Sequence, residues 1–262
     1  MPVMDEFKEE RAKIKNGSFQ DKMKYFWCYY KIHTIITLCV IGFAAMLIHD
    51  IVSQKEEAFF AVALNCTASD ETQISAFLQD YADYAGINTD KYDVVIDKSI
   101  YLSSSDADNL TAQINEMAMS SSQKLMAYTS ARKLDAIIGN SEFFPYQANQ
   151  GKFYDLRELL TEEQISKYEP YFYYVDQAYI DALDAAAETL SLTGEMEEAL
   201  ASPPDPDKPE EMEQPIPVAI YVTDCKSLTD TYEFGGDYTA LGIMVNTQNV
   251  DNALKFIDYL FE

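Results

Sequence analysis

The chain has 262 residues, with 19 basic and 44 acidic side chains and a net charge of −25. The charge is uneven: residues 1–32 carry seven Lys/Arg against five acids, whereas residues 51–262 carry 12 against 38. So acidic a body excludes nucleic acid and anionic headgroups as its partners and favours cationic or neutral ones, and 48% hydrophobic residues exclude a disordered chain.

Residues 1–31 are charged and poor in apolar side chains. Phe7, Arg11 and Ile14 share a helical spacing but are too few for a core. From Ile32 to Ile48 the chain holds no Asp, Glu, Lys or Arg. As a helix this stretch covers about 26 Å, slightly short of a ~30 Å hydrocarbon core. Phe26, Trp27, Tyr29 and Tyr30 supply an aromatic belt, and Lys31 can snorkel to the headgroups. A buried core helix and a signal-peptide apolar region are the competing readings. A cleavable signal begins near residue 1, whereas here 31 mostly polar residues come first. The expectation is one transmembrane helix over 32–52, with 1–31 cytoplasmic by the Lys/Arg bias and the rest outside. Lipid attachment at Cys39 is disfavoured by Leu38, too large for the position that bacterial lipoprotein processing reads.

A polar linker at 53–58 leads into an expected domain over 59–262. Phe59-Phe60-Ala61-Val62-Ala63-Leu64 reads as a buried strand. Ser69-Asp70-Glu71 caps a helix with Ile74, Phe77, Leu78 and Tyr81 on one face, and Gly86 ends it. Asp93 to Asp97 is a second strand, Asp106 to Arg132 a long helix, Leu134 to Gly139 a third strand, and Ser141 onward another helix. Helices follow at TEEQISKY and from Asp176 to about Leu192. Residues 202–217 hold six of the nine prolines and five acids, a loop whose Glu210, Glu211 and Glu213 lack the spacing of a calcium site. Pro217 to Val222 and Leu241 to Val245 are strands, and Asn249 to Phe261 is a closing amphipathic helix. Strand and helix alternate as in one mostly parallel open α/β sheet with helices on both faces.

The chemistry available is narrow. His33 and His49 are the only histidines, one at each end of the apolar span. The outer part therefore has no Ser-His-Asp or Cys-His triad and no His-containing zinc site. It has no phosphate loop and no dinucleotide fingerprint, so no enzyme, metal or cofactor is expected. Cys66 and Cys225 each follow an apolar run and could pair if those runs are neighbouring strands; two buried thiols are the alternative. In open parallel sheets ligands sit beyond the strand carboxyl ends. Those ends are Asn65 and Thr67, Ser99, Asn140 with Ser141 and Glu142, and Thr223 with Asp224, residue types that equally make turns and caps. Tyr171, Phe172, Tyr173 and Tyr174 form the densest aromatic run, either a partner patch or an element packed on the sheet.

The stretch Gln123 to Asn140, QKLMAYTSARKLDAIIGN, resembles the extracellular solute-binding proteins of ABC transporters, the type 2 periplasmic-binding-protein family. FYDLRELLTEEQISKY and ALGIMVNTQNVDNALKFIDYLF are similar to two more pieces of that family, in the same order. The resemblance implies a solute-binding lobe. Only 77 residues separate Asn140 from Val218, too few for a complete second lobe, so it implies one lobe rather than a clamshell. Two functions are expected from this. The first is a bacterial-type membrane-anchored, non-catalytic accessory or interaction protein in a membrane complex. The second is a small-solute component feeding a transporter or sensor.

Overall fold

The computed structural model describes residues 18–53, 55–68, 70–103, 112–189 and 202–262. The charged segment up to residue 17, Ser69, and the first turn expected at Asp106 lie outside the described residues, as do the last residues of the helix expected to reach Leu192. The chain divides into two compact units, Met1–Lys55 and Glu56–Glu262.

The first unit is one helix, α1, Phe19–Ser53. It contains a 19-residue segment, Lys31–His49, long and apolar enough to cross a membrane, none of it buried within the protein. The helix is longer than the expected span at both ends and takes up the beginning of the expected linker.

The second unit is α/β. Its elements in order are β1 (Glu56–Leu64), β2 (Thr67–Ala68), α2 (Glu71–Ala85), β3 (Tyr92–Ile100), α3 (Ala112–Ser130) and β4 (Ala136–Asn140). Then come α4 (Phe144–Ala148), α5 (Leu156–Leu159), α6 (Glu162–Tyr168), β5 (Phe172–Asp176) and α7 (Gln177–Thr189). The chain closes with β6 (Pro215–Tyr221), α8 (Lys226–Thr229), β7 (Tyr232–Glu233), β8 (Thr239–Ile243) and α9 (Val250–Leu260). Six strands form one sheet in the order β3-β1-β4-β8-β6-β5, and β2 pairs with β7 apart from it.

Strand β1 shows how sequence makes two cores. Side chains alternate across a strand. Phe59, Ala61 and Ala63 enter one apolar cluster with Ile74, Phe77 and Tyr81 of α2 and Phe256, Ile257 and Leu260 of α9. Phe60, Val62 and Leu64 enter the opposite cluster with Leu125 of α3, Phe144 of α4 and Ile180 of α7. A strand buried on both faces needs an unbroken apolar run, and Phe59 to Leu64 is one. The caps read from the sequence form: Asp70 accepts from the backbone N–H of Thr72 and Gln73 at 2.7 and 2.9 Å, and Gly86 closes α2 at φ +71°.

The sheet is mixed rather than mostly parallel. Strands β3, β1 and β4 run parallel, whereas β8 is antiparallel to both β4 and β6, and β5 is antiparallel to β6. A parallel return needs a crossover element that carries the chain back along the sheet. Between β6 and β8 lie only the four-residue α8 and the two-residue β7. The chain therefore re-enters from the end at which β6 left. Continuous apolar runs mark burial but carry no strand direction, which is why the sequence reading erred.

One further expectation is corrected and one open reading is resolved. The helix after Asn140 is a five-residue turn starting at Phe144, too short and too far along for Asn140 and Ser141 to open it. The aromatic run is part of the sheet: Phe172 and Tyr173 are buried in β5, and only Tyr171 is largely exposed. It is not a surface patch. The prolines at 215 and 217 begin β6, so the Pro-rich loop ends inside a strand. Its far end is pinned by the buried Asp176, whose carboxylate accepts from the N–H of Glu213 and Gln214 at 2.8 and 2.9 Å.

Candidate functional site

At the strand ends the structure places Asn65, Ser141, Glu142, Thr223 and Asp224 in turns and Thr67, Ser99 and Asn140 at the ends of strands, and it occupies the polar groups of most of them. Asn65 sits at φ +48°, a left-handed position that Asn tolerates better than most residues. Its amide donates to the Leu102 carbonyl at 2.7 Å and accepts the Leu102 N–H at 2.8 Å. Thr67 donates to the Glu233 carboxylate at 3.3 Å. Asn140 is buried; its amide donates to the Phe234 carbonyl at 2.7 Å and accepts from the N–H of Glu142 and Phe143 at 3.2 Å. Ser141 Oγ accepts the Asp237 N–H at 3.0 Å. Thr223 Oγ1 accepts the Thr239 N–H at 3.0 Å. These residues stitch the turns between strands. Glu142 and Asp224 keep exposed carboxylates.

Ser99 has an arrangement with a catalytic look. Lys124 Nζ donates to Ser99 Oγ at 2.6 Å, as a base would approach a nucleophile. The same ammonium is paired with Asp97 at 2.8 Å, and Tyr128 donates its hydroxyl to Asp97 at 3.0 Å. The hydrogen bond to Asp97 holds the Lys124 pKa above its ordinary value against a modest cost of burial. Burial alone would raise Asp97, but hydrogen bonds from Lys124, Ser99 and Tyr128 outweigh it and bring it down to about 2. Lys124 is therefore a fixed cation with no lone pair to offer, and the cluster ties β3 to α3.

Of the two readings for Cys66 and Cys225, the structure shows the second, two unpaired thiols. Cys66 and Cys225 are both buried and both free, in one apolar cluster. Burial pushes the Cys66 thiol up to about 12 and the Cys225 thiol up to about 11, the latter also raised by Asp224. Thiols held that high are protonated and chemically quiet.

Sequence reasoning missed Asp135, the residue before β4. It is buried, and its carboxylate accepts the Phe60 N–H at 2.8 Å, the Asn249 amide at 3.2 and 3.3 Å and the Thr247 hydroxyl. Its own backbone bridges strands, donating to the Phe60 carbonyl at 2.8 Å and accepting the Met244 N–H at 2.9 Å. Burial raises its pKa, and the Thr247, Phe60 and Asn249 hydrogen bonds oppose the rise.

On the α/β domain, one surface feature with room for a ligand lies on the α2/α9 side. An open groove of about 540 Å³ is lined by Asp80, Tyr171, Asp224, Lys226, Tyr259 and Phe261, with Cys225 and Leu260 in its wall and Glu262 beside it. Tyr171 stacks edge-on against Phe261 with ring centroids 4.9 Å apart. Tyr259 reaches the Asp80 carboxylate at 3.5 Å and is pushed up to about 12 by burial and by that charge. The lining thus holds three carboxylates, one ammonium and three aromatic rings. The groove unites one residue of the expected aromatic patch, Tyr171, with one strand-end candidate, Asp224. Asp80, Tyr259 and Phe261 gave no signal beyond helical periodicity.

Among the described residues, no group of three or more His, Cys, Asp and Glu side chains is arranged to hold a metal ion. Neither a protein-family model, nor a curated protein, nor a solved structure matches this chain.

Proposed function

We propose that this chain is a single-pass membrane protein whose α/β domain acts outside the cytoplasm as a non-catalytic recognition module for a cationic partner segment. The observation that carries the reading is the groove at Tyr171, Asp224 and Tyr259, lined by both aromatic rings and carboxylates on a domain of net charge −26 over residues 51–262. Aromatic side chains bury the aliphatic stems of Lys or Arg, and carboxylates pair with their heads. Charge of one sign over a whole domain also raises the encounter rate with a basic partner. The helix Lys31–His49 supports tethering. The resemblance to a solute-binding lobe supports an extracytoplasmic domain that recognises rather than transforms. Its three pieces fall in α3–β4, in α5–α6 and in β8–α9. Solute capture at the strand ends is the weaker reading, because Asn65, Asn140, Ser141 and Thr223 already satisfy their neighbours.

The test is fluorescence anisotropy of a labelled peptide of alternating Lys and Leu, titrated with the full chain in lipid nanodiscs. Tyr171→Ala with Asp224→Asn should weaken binding at least tenfold, while Asp90→Asn with Asp184→Asn, charge changes remote from the groove, should change it less than threefold. Equal losses in the two pairs would reduce the interaction to bulk charge and refute the groove.

A further inference from the structure

The groove that suits a cationic segment also contains a cation of its own. Four consecutive residues, Asp224, Cys225, Lys226 and Ser227, contribute to its lining. They form a tight turn after β6. The Cys225 N–H donates to the Val222 carbonyl at 3.1 Å, and the Cys225 carbonyl accepts from the N–H of Leu228 and Thr229 at 3.0 Å. Cys225 and Leu228 anchor this turn in the core, while Asp224, Lys226 and Ser227 are exposed. One turn therefore presents a carboxylate and an ammonium two residues apart. Among the described residues, neither side chain enters an ion pair.

This charge pattern narrows the ligand. A partner that is only cationic is drawn by Asp80 and Asp224 and repelled by Lys226, and an unmatched like charge selects against such a partner. A partner that also brings an anion satisfies all three. Basic segments are poor in acidic side chains, but every chain carries one carboxylate at its end. The size agrees: about 540 Å³ lies within the range of roughly 300–1,000 Å³ that holds ligands of a few residues at most.

We infer that the occupant is the carboxyl-terminal residue of a basic segment. Its α-carboxylate pairs with the Lys226 ammonium, a charge-assisted contact of the kind that captures chain ends. Its Lys or Arg stem lies along the rings of Tyr171, Tyr259 and Phe261, and its head pairs with Asp80 or Asp224. The inference rests on the groove reading under the proposed function and specifies which part of the cationic partner enters.

The experiment compares two labelled peptides of alternating Lys and Leu, each ending in Lys, one with a free terminal carboxylate and one with a carboxamide. Anisotropy is read with the full chain in nanodiscs of neutral lipid. The free carboxylate should bind about fivefold tighter, although bulk charge favours the carboxamide, which carries one more net positive charge. Lys226→Gln should abolish that preference by weakening the carboxylate peptide alone, and Lys226→Arg should keep it. A carboxamide that binds as tightly as the carboxylate, or Lys226→Gln tightening both peptides, would overturn the inference. So would free lysine that displaces the peptide at the peptide's own concentration, since a chain end would then not be the occupant. Tyr171→Ala with Asp224→Asn separates the two levels. If that pair weakens both peptides equally and no carboxylate preference appears, the groove stands and this inference falls; if it weakens neither, both fall.

Discussion

Replacement of Asp135 decides whether the carboxylate before β4 is a costly buried charge or the knot that joins three segments of the chain. Asp135→Ala removes the acceptor of the Phe60 N–H, the Thr247 hydroxyl and the Asn249 amide, all at least partly buried. Each buried donor left without a partner costs about 1–3 kcal/mol, offset by release of a desolvated charge, for a net loss of about 3 kcal/mol. Asp135→Asn separates the terms. It neutralises the charge and keeps one oxygen, which must stay on the Phe60 N–H. Its NH2 then points at Thr247, which can turn its hydroxyl to accept, and lies beside the Asn249 NH2, which keeps the retained oxygen and the Glu57 carbonyl as acceptors and presents its own oxygen only by flipping away from Glu57. The expected loss is about 1–2 kcal/mol, because one donor–donor contact remains. For a domain of this size 1 kcal/mol moves Tm by about 2–4 °C. Thermal unfolding of the detergent-solubilised chain, followed by circular dichroism, should rank wild type above Asn above Ala. An Asn variant as stable as wild type or more so would mean that desolvation of the charge outweighs its hydrogen bonds, and the knot would be refuted.

The pH profile near β3 follows from Asp97, whose folded pKa of about 2 lies below the ordinary 3.8. A depressed carboxylate stabilises the fold above its unfolded pKa, and that stability is lost as pH falls from about 4 to about 2. Asp97→Asn should flatten this window by about 1 kcal/mol in an acid-denaturation series, after screening of the half-exposed Lys124 is allowed for. A Cβ at Gly236 would lie 2.6 Å from Ser141 Oγ on a backbone at φ +75°. Gly236→Ala should therefore lower stability by about 1–2 kcal/mol in urea titration, and an unchanged midpoint would contradict the turn. Cys66 and Cys225 should resist an aromatic disulfide reagent in the native domain and react within minutes in denaturant; rapid native reaction of either would contradict their burial.

Burial was legible in the sequence and direction was not. Phe59 to Leu64 and Leu134 to Gly139 announce strands covered on both sides, and Asp70 with Gly86 announces the ends of α2, because these signals are local. Antiparallel β8 is set by what lies between β6 and β8, where α8 and β7 are too short to read as elements. The strand-end candidates were chosen for their hydrogen-bonding groups, and those same groups tie Asn65 to Leu102 and Asn140 to Phe234 across 37 and 94 residues. No pattern within a short window can show such a partner. The groove is hidden for the same reason: Asp80, Tyr171, Asp224 and Tyr259 come from four segments that only the fold brings together.

The proposed function needs α1 to hold an acidic recognition domain on the outer side of a membrane. Protease protection on sealed cells, with an epitope tag before residue 1, is the decisive measurement. External protease should destroy the domain of residues 56–262 while the tag stays protected, and alkaline carbonate should leave α1 in the membrane fraction. A domain protected until the cells are opened, or a chain released by carbonate, would contradict it.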